Sequence, residues 1–105
     1  AEQQLVEFNA KYTKYVDQTT LTIYDVRTIA NYAKKDNEGL EDNEKIEVIF
    51  NGSNVVNRTE AEWDNQIQSQ VVNINSSSTE LPKYKCATPE YTENGRVKKI
   101  KITNP

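Results

Sequence analysis

Apolar positions recur along this chain at two periods, and the switches between them mark out its elements. Leu5, Phe8, Tyr12 and Tyr15 stand three, four and three residues apart, the spacing of one helical stripe, which predicts a helix over residues 2 to 16. Thr22 followed by Asp25 resembles a capping box, in which a hydroxyl and an acid three residues on satisfy free amides at a helix start. Val26, Ile29, Ala30 and Ala33 then supply the apolar face of a second helix. It is expected to end near Lys34-Lys35, whose cations suit the carbonyl end of the dipole, with Asn37 or Gly39 taking a left-handed stop.

Ile46, Val48 and Phe50 alternate with Glu47 and Ile49, so residues 45 to 51 read as a strand that stops at Asn51-Gly52, a favoured tight-turn pair. Val55-Val56 are expected to form a short return strand. Thr59 and Glu62 make a second capping box, and Trp63, Ile67 and Val71 recur every four residues, which predicts a third helix through Asn73. Residues 75 to 79 read as a short polar linker. Residues 83 to 91 and 97 to 103 are strand-like around Asn94-Gly95, the signature of a β-hairpin. Tyr84 and Cys86 share one parity, and Ile100 and Ile102 lie opposite Lys99 and Lys101, so one side of the hairpin is core and the other lysine-rich. Pro89 cannot donate to a ladder, which predicts a bulge or an edge position there. The expected fold is α+β: three helices packed on one face of a three- to four-stranded antiparallel sheet that ends in the C-terminal hairpin, in a single domain over residues 1–105.

Composition narrows the chemistry. The 105 residues, 35% of them hydrophobic, can build one modest core. Histidine and methionine are absent and Cys86 is the only cysteine. That removes His-based acid/base work, Ser/His and Cys/His nucleophile pairs, His or multi-Cys metal sites and an internal disulfide. No catalytic, metal-binding or cofactor-binding residue is therefore expected. The chain opens Ala1-Glu2-Gln3-Gln4 with no initiator, so an upstream segment is expected to have been removed: an initiator methionine, a signal peptide, an anchor or residues of a longer chain. Uncharged apolar runs reach only two or three residues, far short of a membrane span.

The net charge of −3 is unevenly spread: residues 81 to 105 hold Glu90 and Glu93 against six bases. An acidic chain with one basic end lacks the dominant positive field that nucleic acid requires. The acidic connection over residues 36 to 44 invites a calcium loop, but Gly39 comes too early for the EF-hand ligand pattern, so it reads as a solvated loop. Cys86 has no histidine to act as its base and reads as a small buried residue. Trp63 and the six tyrosines follow helix and strand spacings, which favours core packing over a sugar-stacking platform. Sixteen acids make some close carboxylate pair inevitable, but none stands in a context suggesting burial, so glycan-active carboxylate chemistry is the least favoured reading. The remaining candidate surface is Lys83, Lys85, Lys99 and Lys101, which lie together if the two strands pair across Asn94-Gly95. Like charges on adjacent strands repel, and either an anionic partner or acidic groups such as Glu47 on a neighbouring strand would relieve them.

Phe8-Asn9, Tyr12, Tyr15, Val26, Ile29, Ala30 and Asn37 resemble the opening of short bacterial proteins with no assigned activity, mainly from Gram-positive anaerobes. The tail Tyr84, Tyr91, Gly95, Val97, Ile100 and Ile102 is similar to their ending. The family pattern carries glycines after the Tyr15 position and before the second helix, where this chain has Val16-Asp17 and Leu21-Thr22. The resemblance implies a hydrophobic N-terminal segment upstream, and hence an extracytoplasmic protein, secreted or anchored to the outer face of the cell membrane. The expected function is a non-catalytic interaction or structural module whose partner is an unidentified protein or an anionic cell-surface polymer, with membrane contact only through the missing anchor. The alternative is a pilin-like or secretion-apparatus subunit, by fold-level analogy.

Overall fold

A computed structural model of the chain describes residues 2–77 and 81–104. Helix α1 spans Glu2–Thr13, three residues short of the predicted end. The apolar stripe continues to Tyr15, but the chain turns away at Asp17, whose φ of +64° is left-handed and whose amide donates to the Cys86 carbonyl at 2.9 Å. A backbone bond to the sheet thus overrides the helical period. Tyr12 is wholly buried, Phe8 and Tyr15 are half-buried, and the side chain of Leu5 lies outside the described residues.

Helix α2, Ile23–Asp36, begins as the capping box requires: the Thr22 amide donates to the Asp25 carboxylate at 2.9 Å. Its buried stripe is Ile23, Val26, Ile29, Ala30 and Ala33. Of the two residues offered for the left-handed stop, Asn37 stays right-handed at φ −73° and Gly39 takes the turn at φ +84°. Asn37 is occupied otherwise, because its side-chain amide clasps both backbone groups of Ile46: Oδ1 accepts from the Ile46 N–H at 2.6 Å and Nδ2 donates to the Ile46 carbonyl at 3.0 Å. A single 3-10 turn, Asp42–Glu44, fills the connection.

Strand β1, Glu47–Phe50, folds back onto β2, Ser53–Asn54, through Asn51 and Gly52. Both turn residues have positive φ, +49° and +90°, as a two-residue hairpin of this kind requires. The return strand therefore lies two residues earlier than predicted, and Val55 and Val56 are core residues beyond it. Helix α3, Glu60–Ser77, is capped by Thr59, whose hydroxyl accepts from the Glu62 amide at 3.2 Å. It buries Trp63, Ile67 and Gln70 and absorbs most of the predicted linker; Ser78 and Thr79 lie outside the described residues.

The predicted strand over residues 83 to 91 is broken into β3, Lys85–Cys86, and β4, Glu90–Tyr91, with Pro89 in the gap. Both pieces pair antiparallel with β5, Val97–Thr103, so the hairpin forms. Its turn is wider than Asn94-Gly95 alone: the Thr92 amide donates to the Arg96 carbonyl at 2.8 Å and Gly95 donates back to Thr92 at 2.9 Å.

The sheet runs β2-β1-β5-β3, with β4 also on β5, and it is mixed. β1 and β5 are parallel, which corrects the expectation of an antiparallel sheet of three or four strands. Alternating burial fixes which face of a strand is core and leaves its direction open. A parallel neighbour requires a long crossover, and the segment carrying α3 supplies one. Val48, Cys86, Ile100 and Ile102 are buried with α2 and α3 residues in one continuous core.

Candidate functional site

Strand β5 carries the lysine-rich face. Tyr91 faces Val97 while Glu90 faces Lys99, so Lys98 is an extra residue in the ladder, a bulge that lets Val97 and Ile100 both turn inward although three positions separate them. Beyond the bulge Lys99, Lys101 and Thr103 share the outer face, opposite buried Ile100 and Ile102.

Register decides what meets each lysine. Lys99 lies beside Glu47 of β1, with Nζ 3.3 Å from the carboxylate, and faces Glu90 of β4 on its other side. Lys101 lies beside Ile49, and its carbonyl accepts from the Ala87 amide at 3.0 Å. Lys85 faces Thr103, one diagonal step from Lys101. Lys85 and Lys101 are exposed, and neither has an ion-pair partner among the described residues. Lys83 precedes β3 and is exposed next to Tyr84, which bridges to Leu21. The structure therefore brings Lys85, Lys99 and Lys101 onto one sheet face together with two carboxylates, and sets Lys83 at its margin.

The other candidates resolve into packing. Cys86 is buried, as its parity with Tyr84 predicts, and burial followed by the nearby Asp17 charge pushes its thiol from 9.0 up to about 11. Trp63 is 1% exposed, and Gln70, also buried on α3, donates to the Tyr84 hydroxyl at 3.1 Å. The Tyr12 hydroxyl donates to Asp36 at 2.5 Å, and Lys11 lies 2.6 Å from the same carboxylate. Burial and that hydrogen bond raise the Tyr12 phenol well above the ordinary tyrosine value. Among the described residues, no group of three or more Cys, Asp and Glu is placed to hold a metal ion, and no helix is long and apolar enough to cross a membrane.

A feature not anticipated from the sequence is a polar groove of about 480 Å³ between the 3-10 turn and the tip of the β4–β5 hairpin. Asn43 and Glu44 form one wall, and Thr92 to Asn94 with Arg96 and Lys98 form the other. Arg96 links the two walls by donating through Nη2 to the Glu44 carbonyl. The two walls are about half the chain apart in sequence, 52 residues, and no local pattern links them. Comparison of the chain with protein-family models, with curated proteins and with solved structures returned no match.

Proposed function

We propose that the chain is a non-catalytic interaction module that works outside the cytoplasm and engages an anionic cell-surface polymer through the outer face of its sheet. One observation carries this reading: Lys85 and Lys101 sit on diagonal positions of β3 and β5, exposed and without an ion-pair partner among the described residues. In this reading all three helices share the core face of the sheet, which leaves the lysine face open. Lys99 contributes less, because Glu47 already neutralises it.

The extracytoplasmic placement rests on the resemblance set out above, and its motif positions have physical work in this fold. Asn9 bonds across the hairpin, with Nδ2 donating to the Gly95 carbonyl at 2.9 Å and Oδ1 accepting from the Val97 amide at 3.0 Å, while Asn37 holds Ile46 in the same manner. Where the family pattern has glycine, Asp17 adopts the left-handed conformation that glycine favours. The test of the proposal is binding to immobilised poly(glycerol phosphate) at low salt, with the variant K85Q/K101Q as comparison. Binding that weakens in the variant and falls as salt rises supports the reading; no binding by the wild type rejects it.

A further inference from the structure

The groove beside the hairpin tip, at about 480 Å³, falls in the usual range of small-ligand sites, about 300–1,000 Å³. Such sites are mostly apolar, and this one is not. No apolar or aromatic residue lines it, so it offers no aromatic platform, and its apolar surface is limited to the stems of polar side chains. What the groove offers instead is hydrogen bonding from Asn43, Thr92 and Asn94, and two cations.

The cations are underused. Arg96 is half-buried, yet of the five N–H donors a guanidinium carries, it spends one on the Glu44 carbonyl, and its Nε is buried with no partner among the described residues. A partly desolvated guanidinium short of acceptors is a destabilised group, and an arriving oxyanion restores what burial removed. Lys98 is exposed and has no ion-pair partner among the described residues. The bulge takes it out of the lysine face and sets it in the groove wall beside Arg96.

We propose that this groove binds a small, hydroxyl-rich ligand through one singly charged oxyanion, with Arg96 and Lys98 as its cation pair. Glu44 and Glu93 also line the groove and repel a second negative charge, which limits the ligand to one. A phosphodiester and a carboxylate both present paired oxygens that match a guanidinium fork. Neither Lys85 nor Lys101 lines the site, so the groove and the lysine face stand or fall separately.

The test is a backbone-amide NMR titration of the whole chain with two probes, glycerophosphoglycerol as a singly charged phosphodiester and sodium glucuronate as a carboxylate. Glycerol and glucose serve as uncharged controls. Saturable shifts confined to residues 43–44 and 92–98 with at least one charged probe are expected, and the probe that saturates identifies the oxyanion. R96K, which keeps the charge and loses the fork, should weaken binding about tenfold. K98Q should weaken it several-fold, and because Lys98 is exposed it keeps the fold and remains informative if R96K does not fold. The proposal is overturned by no saturable shift with either probe, by equal shifts with the uncharged controls, or by shifts centred on Lys85 and Lys101.

Discussion

Glu47 and Lys99 face each other across the parallel pair β1 and β5, carboxylate to ammonium at 3.3 Å. The pair places an acid in the middle of the lysine face, and it exists only because β1 enters the sheet beside β5 in that register. Replacing Glu47 with glutamine releases Lys99 and removes a negative charge from the surface. E47Q should therefore bind an anionic polymer more tightly than the wild type, by about fivefold if one freed lysine contributes roughly 1 kcal/mol at an anionic surface. A loss of affinity in E47Q, measured at low salt on folded protein, would place the binding surface elsewhere.

Asn9 and Asn37 each satisfy a backbone donor and a backbone acceptor of another segment. Substituting alanine leaves those groups short of partners in part-buried positions, and each unsatisfied group costs about 1–3 kcal/mol. N9A and N37A should lower stability by about that much in chemical denaturation. Asn31 is exposed on α2, so N31A should change it by less than about 0.5 kcal/mol. Equal stabilities for all three variants would remove the clasping role.

Asp17 at φ +64° leads to a test through backbone conformation. D17G relieves the left-handed geometry and should leave stability unchanged or slightly raised. D17V places a β-branched residue there and should lose about 1–2 kcal/mol. If both variants are equally destabilised, the Asp17 side chain matters and its backbone conformation does not.

The alkaline limb of stability has a sign set by Cys86 and Tyr12. Folding raises the Cys86 thiol from 9.0 to about 11, so the folded state holds its proton more firmly. The stability from this linkage is present in full below pH 9 and declines as pH rises toward 11, by at most about 1.4 kcal/mol per pH unit. Tyr12 is raised from 10.0 and adds a loss that sets in as pH approaches 10 and grows above it. C86A should therefore fall less steeply than the wild type from pH 9 to 10, and a thiol reagent should label native Cys86 slowly. Rapid labelling at neutral pH would contradict both statements.

Local chemistry made much of this fold legible. The Thr22–Asp25 and Thr59–Glu62 boxes located two helix starts, the spacing of Val26, Ile29, Ala30 and Ala33 identified the buried stripe of α2, and the parity of Ile100 and Ile102 identified the core side of β5. What stayed hidden depends on partners distant in sequence. The direction of β1 is set by its crossover to β5, and the bulge at Lys98 by what β4 must face. The end of α1 is set by a bond from Asp17 to Cys86, and the groove by Arg96 reaching Glu44. The four lysines were visible as residues. Glu47 is legible as a neutralising acid on a neighbouring strand; that it meets Lys99 and not Lys85 or Lys101 is a matter of register, which an alternating pattern leaves open.

Equilibrium binding to immobilised poly(glycerol phosphate) at low salt tests most directly whether Lys85 and Lys101 form the centre of a surface for an anionic polymer. At roughly 1 kcal/mol per lysine, K85Q/K101Q should bind about thirtyfold more weakly than the wild type, with a shallower salt dependence and an unchanged fold. A wild type that fails to bind, or a double variant that binds as tightly as the wild type, contradicts that role.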